Sequence, residues 1–319
     1  MSTANKSTMA TVTRAHPKLD ALVDRARHVA RPPGAVALVY PGDALAMSAA
    51  QQIAALGVAR PLLVGPLEII QRAAAAAQVD VRDFEIVDTP GQPIEVARRA
   101  IALAREDQVL ALMKGSLHTD ELMSAVVDRN NGLRSDTRIS HLFLFDLPHY
   151  PKLLGLTDCA VNIAPSLATK RDILSNAIGL LQTLGIARPK VGVLAAVETV
   201  NPAIQATVDA QALAALAQQG VWPGAKVEGP FGFDNAFSAD AARIKKIESS
   251  VCGDADLLLV PDLNAGNLLY KSFTYVGGGE CAGLVLGARV PIVMTSRADS
   301  PLARLASVAL AVLATARHN

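Results

Sequence analysis

Residues 34–66 read GAVALVYPGDALAMSAAQQIAALGVARPLLVGP, and this stretch decides the fold. It begins with the apolar run GAVALVYP, continues with an alanine-rich segment of helical periodicity that Gly57 closes, and ends with the apolar run RPLLVGP. Short apolar runs bounded by turn residues indicate buried strands, and the segment between them suits a crossover helix. The stretch therefore predicts a β–α–β unit with two parallel strands in one sheet.

The same alternation continues to about residue 132. Helical segments EIIQRAAAAAQV, PIEVARRAIALARE and TDELMSAVVDRNNG alternate with the apolar runs FEIVDT and QVLALMKG. A repeated βα series requires a parallel sheet whose two faces are both covered by helices. The first part of the chain is therefore predicted to be a three-layer α/β structure.

The alternation of strands and helices changes near residues 140–150. Two apolar runs, RISHLFLFDLP and PKLLGLTDCAVNIAP, follow each other with a link too short for a parallel crossover. We therefore expect an antiparallel excursion here. The βα alternation then resumes and ends with the strand VPIVMT and the helix SPLARLASVALAVLATARH. This change of rhythm predicts a domain boundary between residues 140 and 150.

Composition limits the class of protein. A chain of 319 residues suits two domains, and a net charge of +1 with 18% charged residues does not suggest a nucleic-acid surface. Three cysteines (Cys159, Cys252 and Cys281) form no CxxC pair, so we expect small buried hydrophobic side chains in a reducing cytoplasm. The polar N-terminus is expected to be a frayed leader of roughly fifteen residues, and no apolar run reaches the ~18–20 residues of a membrane span.

Four loops that follow strands carry polar residues of the kind that bind anions. Ligands of α/β sheets bind where strands end and helices begin, and glycine, lysine, arginine, serine and asparagine there suit a phosphate group. The loops are MKGSLHTDE, EGPFGFDNAFSAD, VPDLNAGNLLYKS and TSRADSP. No GxxxxGK[ST] motif is present, and GGGECAG at 277–283 follows a helix instead of a strand, so neither predicts a nucleotide site.

Each of these residues also has a purely structural interpretation. Single glycines often serve tight turns, and a hydroxyl residue before a helix often caps it. The residues concerned are Gly115 and Gly266 as turns, Thr119 and Ser300 as helix caps, Lys114 and Lys271 as surface cations, and His118 and His141 as packing histidines. Several such loops occurring together favour an anion site over eight unrelated structural roles.

Taken in order, seven segments resemble the phosphate acetyltransferase/phosphate butyryltransferase family from about residue 18 to the end. They are MKGSLHTDELM, RISHLFLFD, DCAVNIAP, NPAIQATVDA, EGPFGFDNAFS, VPDLNAGNLLYKS and AGLVLGARVPIVMTSRADS. The residues of these motifs are more similar to the butyryltransferase-like branch of the family than to the acetyl branch. They are also similar to the transferase half of fusions that carry an enoyl-CoA hydratase domain.

The resemblance implies a fold of two three-layer αβα domains with mostly parallel sheets and an interdomain cleft. This architecture is like that of isocitrate and isopropylmalate dehydrogenases. The first domain would be discontinuous, comprising residues 1–140 and 285–319, and the second would comprise residues 141–284. The resemblance also implies a homodimer.

The implied reaction is reversible acyl transfer between coenzyme A and inorganic phosphate. Coenzyme A is a substrate in this reaction, no cofactor is implied, and no metal takes part in the chemical step. The family's catalytic serine–arginine pair falls on Ser296 and Arg297. The implied substrate-binding residues are Lys114, Gly115, His118 and Thr119 on the first loop and Asn264, Gly266, Asn267, Tyr270 and Lys271 on the acyl-phosphate side of the cleft.

Two positions depart from the acetyl branch of the family. Its proposed base, an aspartate six residues after the arginine, is replaced by Ala303, and its arginine early in the helix after the first loop is replaced by Met123 or Ser124. We therefore expect the thiol to be activated by the positive potential of Arg297, Lys271 and the helix N-terminus. Asp299 is expected to have a structural role, either capping the last helix or pairing with Arg297.

Two alternatives stay open at this stage. A decarboxylating NAD-dependent dehydrogenase of similar architecture would need clustered aspartates for a metal, and Asp234, Asp240 and Asp262 are the candidates. A catalytically weak paralogue that binds coenzyme A is the other, and Ala303 supports it.

Overall fold

A computed structural model describes residues 15–29, 33–296 and 298–316 of the chain. The predicted leader therefore lies almost entirely outside the described residues. The strands are β1 Ala35–Val39, β2 Arg60–Gly65, β3 Glu85–Asp88, β4 Ala111–Lys114, β5 Ser140–Asp146, β6 Leu154–Thr157, β7 Lys190–Leu194, β8 Lys226–Phe231, β9 Leu257–Leu259, β10 Glu280–Leu286 and β11 Ile292–Val293.

Helices occupy most of the segments between these strands. They are α1 Pro17–Val29, α2 Ala44–Ala55, α3 Leu67–Ala77, α4 Pro93–Arg105, α5 Thr119–Val126, α6 Leu167–Thr183, α7 Gln205–Gln218, α8 Phe233–Phe237, α9 Ala239–Ile244, α10 Leu263–Tyr275 and α11 Pro301–Thr315. No helix in these described ranges has the length and apolar character needed to cross a membrane.

All of the strands belong to one sheet, in the order β3-β2-β1-β4-β11-β10-β5-β6-β9-β7-β8. Neighbours from β3 to β11 are parallel, and so are neighbours from β6 to β8. Between these two groups, β10 is antiparallel to both β11 and β5, and β5 is antiparallel to β6. The prediction of a mostly parallel α/β fold with an antiparallel excursion after residue 140 is confirmed.

The division into two domains stays a prediction. The antiparallel pair β5 and β10 lies close to the proposed boundaries at residues 140 and 285, and the sheet continues through it without a break. The strands on the β11 side come from residues 35–114 and 292–293, while those on the β6 side come from residues 154–259. This arrangement is compatible with a discontinuous first unit.

Two helices differ from the sequence prediction. Helix α1 was not predicted, although its buried residues Leu19, Leu22, Val23 and Ala26 follow helical spacing. The spacing of apolar residues in SADAARIKKIESSV predicts one helix over the whole segment, but α9 ends at Ile244 and Lys246 then takes a left-handed conformation with φ of 58°. A left-handed residue stops a right-handed helix.

The buried carboxylate of Asp146, at the end of β5, fixes the start of α1. It accepts the backbone N–H of Lys18 at 2.7 Å and of Leu19 at 3.3 Å, and the Lys18 ammonium at 2.5 Å. A carboxylate that accepts free N–H groups at a helix start stabilises that helix. The end of β5 therefore determines where α1 lies.

Helix α11 forms the centre of the core on one face of the sheet. Its residues from Ala303 to Leu313 are all buried, and the only polar side chains among them are Arg304 and Ser307. The Ser307 hydroxyl accepts the backbone N–H of Gly283 on β10 at 2.9 Å and donates to the Ala303 carbonyl at 2.7 Å. This bond attaches α11 directly to the central strand β10.

One buried histidine makes stability depend on pH. His141 lies on β5, its Nδ1 atom has no hydrogen-bond partner among the described residues, and burial lowers its pKa to about 4 against the opposing charge of Asp158. In the unfolded chain the pKa of this histidine is near 6.5. The unfolded state therefore binds more protons between these values, and stability falls as the pH falls through this window.

We expect the wild-type protein to lose about 2 kcal/mol more than His141→Gln in free energy of unfolding between pH 7 and pH 5. Urea unfolding at both pH values measures this difference. His149→Gln is the matched control, because it removes an imidazole from an exposed position. A His141→Gln variant that loses stability as steeply as wild type would contradict the prediction.

Candidate active site

Two of the anion-type loops meet at the carboxyl ends of neighbouring strands. Strand β11 pairs in parallel with β4, with Ile292 opposite Leu112 and Val293 opposite Met113. The segments that follow these strands, 115–118 and 294–296, therefore lie side by side. A small cavity of about 30 Å³ lies between them, lined by Asp43, Leu45, Ala46, Ala49, Met113, Lys114, Gly115, Thr295, Ser296 and Arg304.

This cavity, called the Lys114 cavity below, brings together three residues that the sequence singled out. They are Lys114, Gly115 and Ser296. Lys114 is half-buried and not a surface cation, whereas Ser296 is exposed. The side chain of Arg297 falls outside the described residues, so its predicted role stays a prediction.

Gly115 is required for close backbone approach. A Cβ atom at this position would lie 2.5 Å from the carbonyl oxygens of both Val39 and Tyr40, and the Gly115 N–H donates to Val39 at 2.9 Å. The loop after β4 is thereby pressed against the end of β1. The interpretation of Gly115 as a simple turn residue is therefore incomplete, because the constraint is the lack of space and not the backbone angle.

The backbone of Ser296 is held from both sides. The Asp299 carboxylate accepts its N–H at 2.6 Å, and the Arg304 guanidinium donates to its carbonyl at 2.9 Å. The Ser296 hydroxyl accepts the N–H of Ala298 at 3.3 Å. The turn that carries Ser296 is therefore fixed by one residue of the turn itself and one residue of α11.

Asp299 does not cap the last helix. Ser300 does so, because its hydroxyl accepts the N–H of Ala303 at 3.0 Å and Pro301 occupies the first helical position. Burial raises the pKa of the Asp299 carboxyl, and the charge of Glu280 adds to this, while Ser296 N–H, Arg304 and Lys114 act to lower it. Asp299 thus lies among the charges of the candidate site.

The start of α2 gives the Lys114 cavity a further positive contribution. Asp43 caps this helix by accepting the N–H of Ala46 at 2.9 Å, and Leu45, Ala46 and Ala49 line the cavity. The N-terminal end of a helix carries a partial positive charge that favours anions. Together with Lys114 and Arg304, it makes the cavity a suitable place for a phosphate oxygen.

His118 and Thr119 lie apart from this cavity, at the exposed start of α5. The backbone N–H of His118 donates to the Glu121 carboxylate at 2.8 Å. The cap residue of α5 is His118, and Thr119 is the first residue inside the helix, so the interpretation of Thr119 as a helix cap is wrong. Both side chains face solvent beside the loop that carries Lys114.

The five predicted residues of the acyl-phosphate side lie on α10, and none of them lines the Lys114 cavity. Asn264 and Lys271 are exposed, and Asn267 is half-buried. Gly266 is buried within the helix, where a Cβ atom would lie 2.8 Å from the carbonyl oxygen of Asp158. Like Gly115, it permits a close approach and does not form a turn.

Tyr270 links α10 to the other part of the site. Its ring stacks on Phe143 of β5, with 4.5 Å between ring centroids and an angle of 2° between planes. Burial raises the pKa of its hydroxyl, and the charges of Asp299 and Glu280 act in the same direction. Tyr270 is therefore close enough to Asp299 for the two groups to interact electrostatically.

The loop from Asp158 to Ile163 supports the start of α10. The buried Asp158 carboxylate accepts the N–H groups of Ala160 and Val161 at 2.9 Å each and the Asn162 side-chain amide at 2.6 Å. The Ile163 carbonyl then accepts the N–H of Leu263. The sequence signal was the motif DCAVNIAP, which carried the family resemblance without an assigned role.

Sequence reasoning also missed Arg304 and Asp43. Arg304 is only 6% exposed although it carries a charge, and Asp43 both caps α2 and lines the Lys114 cavity. A detectable signal for Arg304 was its place as a lone cation within the apolar run of the last helix. Nothing in the sequence indicated that Asp43 would lie beside Lys114.

The three aspartates of the dehydrogenase alternative do not converge. Asp234 pairs with Lys245 at 3.0 Å, Asp240 pairs with Arg243 at 2.9 Å, and Asp262 caps α10 through the N–H of Ala265. Among the described ranges, no group of three or more histidine, cysteine or acidic side chains is arranged to hold a metal ion. The cluster that this alternative requires is therefore not formed by these residues.

Comparison with known proteins agrees with the family resemblance of the sequence motifs. Residues 92–312 match the family model described as phosphate acetyl/butaryl transferase. The chain is 47% identical over 301 residues to a phosphate acetyltransferase of Rhizobium meliloti, covering 94% of each, and 43% identical over 260 residues to a probable phosphate butyryltransferase of Bacillus subtilis, covering 82% of this chain and 86% of that protein. A branched-chain phosphotransacylase from Enterococcus faecalis superposes with a TM-score of 0.79 at 29% identity, covering 89% of this chain and 99% of that one.

The space beside Gly115 gives a test of how tightly the first loop is packed. In Gly115→Ala the new methyl group would overlap two backbone carbonyl oxygens, so we expect the free energy of unfolding to fall by about 1–3 kcal/mol. Gly179→Ala, in the middle of α6, is the matched control. A Cβ atom at Gly179 would meet nothing within 4 Å, so this variant should be more stable by about 0.5–1 kcal/mol.

Urea unfolding of the two variants and the wild type measures both effects. Equal stability of Gly115→Ala and wild type would show that the loop after β4 moves away from β1 at no cost.

Proposed function

Because this chain belongs to the phosphate acetyltransferase/phosphate butyryltransferase family, we propose that it transfers a short acyl group, acetyl or butyryl, reversibly between coenzyme A and inorganic phosphate. The observation that carries the proposal is the Lys114 cavity, which is lined by Lys114, Arg304, Ser296 and the start of α2. This arrangement suits a phosphate group at the residues that the family resemblance selects.

In the proposed reaction, the thiolate of coenzyme A attacks the carbonyl carbon of the acyl phosphate. A carbon–sulfur bond forms, and the carbonyl oxygen becomes an oxyanion in a tetrahedral intermediate. The bond between carbon and the phosphate oxygen then breaks, which releases phosphate and leaves the thioester. The thiol proton passes to solvent before the attack, and the released phosphate takes up a proton from solvent, so that the reaction balances. Every step runs in reverse for acyl-CoA and phosphate.

The phosphate is proposed to bind over the Lys114 cavity. Lys114 lines this cavity. Arg297, which follows Ser296 directly in the sequence, is proposed as the second cation. A guanidinium binds phosphate oxygens in a two-pronged arrangement, which a lysine cannot reproduce. Lys271 is proposed as a third cation, contributed from α10.

The oxyanion needs hydrogen-bond donors, and each is worth roughly 10²–10³ in rate. Ser296 and Asn267 are the proposed side-chain donors. Asn264 and Tyr270 are proposed to bind the acyl phosphate from the α10 side, with Gly266 allowing α10 to lie close to Asp158. His118 and Thr119 are proposed to contact substrate beside the Lys114 loop, because both are exposed there.

The thiol is proposed to lose its proton mainly because of the positive potential around it. Ala303, on α11, cannot accept a proton, whereas Lys114 and Arg304 supply positive charge beside the site. A free thiol has a pKa near 8.5, and neighbouring cations lower it. Asp299 is proposed to fix the Ser296 turn, although its raised pKa also suits the alternative role of a general base.

We further propose that the protein works without a cofactor and as a homodimer. The exposed side of α10 carries Leu268, Tyr275 and Val276, with exposed fractions of 68%, 76% and 87%. Apolar side chains grouped on one exposed surface favour association with a second copy. Light scattering on the purified protein measures the oligomeric state, and a monomer at assay concentration would refute the proposed homodimer.

The reducing compartment expected from the cysteine count stays a prediction.

A second candidate function is binding of coenzyme A with weak catalysis. Ala303 favours it, because the acetyl-branch aspartate is missing at that position. Slow turnover of every acyl-CoA combined with tight binding of coenzyme A would select this alternative.

Transferase activity is tested directly with purified protein treated with EDTA. We expect conversion of acyl-CoA and phosphate to acyl phosphate and free thiol with no added metal, across a series from acetyl to hexanoyl. Arg297→Ala, prepared in the same way, controls for contaminating enzymes and should lose at least about a hundredfold in kcat/KM, with Lys restoring part of it. Absence of turnover with the whole series, before and after return of Mg²⁺, would refute the assignment.

The role of Asp299 is tested by Asp299→Asn. If Asp299 only fixes the Ser296 turn, kcat should fall less than about tenfold, and the main effect should be a lower free energy of unfolding. The pH–rate profiles of variant and wild type should then keep the same shape. A folded variant that loses several hundredfold in kcat and recovers only at high pH would identify Asp299 as the base.

A further inference from the structure

Arg304 is a charged residue buried in the first turns of the most apolar helix of the chain. It is 6% exposed, it lines the Lys114 cavity, and it donates to the carbonyl of Ser296 at 2.9 Å. We propose that Arg304 is a further binding residue of the phosphate subsite, holding one phosphate oxygen in the Lys114 cavity. This inference rests on the proposed transfer reaction for its substrate.

The position of Arg304 on α11 is an unfavourable one for a cation. It is the fourth residue of the helix, where the partial positive charge of the N-terminus opposes a second positive charge. Burial of an arginine also costs free energy that acceptors or anions must offset. A helix of otherwise apolar core residues therefore carries a cation in its second half-turn, beside the Lys114 cavity.

The bond to Ser296 fixes the orientation of the guanidinium. A guanidinium has five N–H donors in a planar fork, so a bond to one carbonyl is compatible with bonds to further acceptors. The Asp299 carboxyl lies near enough for the charge of Arg304 to act on its pKa, and it accepts the N–H of Ser296. Arg304 is thus held by the same turn that carries the proposed catalytic pair.

The lining of the Lys114 cavity has more positive than negative charge. Among its described lining residues, Lys114 and Arg304 are the cations and Asp43 is the carboxylate. The Asp43 carboxylate also accepts the N–H of Ala46 as the cap of α2. The cavity therefore brings Lys114, Arg304 and the α2 N-terminus together, and this combination suits an anion.

The size of the cavity limits what that anion places inside. The cavity is small, at about 30 Å³. One phosphate oxygen is proposed to lie inside it, with the rest of the phosphate group beside Ser296.

This role also offsets a departure noted in the sequence. The positions of α5 that would carry an arginine in the acetyl branch hold Met123 and Ser124. Arg304 supplies a cation beside the loop that follows β4, because Arg304 lines the same cavity as Lys114 and Gly115. The phosphate subsite would then be completed from α11 and not from α5.

The inference is tested with Arg304→Gln and Arg304→Lys, each compared with wild type in the direction that consumes phosphate. We expect Arg304→Gln to raise the KM for phosphate at least about tenfold, because a charge-assisted hydrogen bond is lost. The KM for acyl-CoA should stay within about twofold. Arg304→Lys should restore part of the phosphate affinity, because it keeps the charge without the fork.

A second readout does not depend on turnover. Inorganic phosphate should raise the melting temperature of wild type, and this increase should be lost in Arg304→Gln and kept in Arg243→Gln. Arg243 is the matched control, because it is an exposed arginine of α9 that pairs with Asp240. Preserved phosphate stabilisation in Arg304→Gln would overturn the inference, and so would a wild-type melting temperature that phosphate does not change.

The two readouts separate this inference from the proposed function. If Arg304 only positions Ser296, kcat and stability fall while the KM for phosphate is unchanged, which overturns the binding role. If wild type shows no transferase activity but loses its phosphate stabilisation in Arg304→Gln, the binding role stands and the proposed reaction fails. If Arg304→Gln does not fold, Arg304→Lys alone tests the binding role. A KM for phosphate above that of wild type would support the role, and an unchanged KM would refute it.

Discussion

The antiparallel pairing of β5 with β10 is the interaction on which the rest of the structure depends. It extends over seven residue pairs, from Ser140 opposite Leu286 to Asp146 opposite Glu280. The parallel strands on one side of this pair run opposite to those on the other side. A sheet that must reverse direction at its centre needs an antiparallel pair there, and backbone hydrogen bonds fix the register of that pair.

That register fixes what lies at the end of β5 and at the start of β10. At one end of the pair, Asp146 accepts the N–H groups that start α1, while Glu280 lies near enough to Asp299 to act on its pKa. On the face of the sheet, Gly283 of β10 donates to Ser307 of α11. The same strand pair therefore positions α11, and with it Arg304 and the turn of Ser296.

The sequence allowed much of the fold and part of the site to be predicted. Periodicity revealed the βα series and the antiparallel excursion, because both depend on local patterns of apolar residues. It did not reveal that Gly115 and Gly266 serve close approaches to Val39, Tyr40 and Asp158, since those contacts join residues far apart in the chain. The role of Arg304 was hidden for the same reason, because burial of a charged residue becomes visible only when the cavity beside it is seen.

The burial of the cysteines has a consequence for a protein that handles a thiol. Cys281 follows Glu280 at the start of β10, and burial raises its pKa well above the usual range, as it does for Cys159. Protonated thiols are poor nucleophiles and exchange slowly with disulfides. An activated acyl group near Glu280 would therefore meet no competing thiolate from these two residues. In the folded protein these two buried thiols are therefore poor competitors of a thiol substrate for an acyl group.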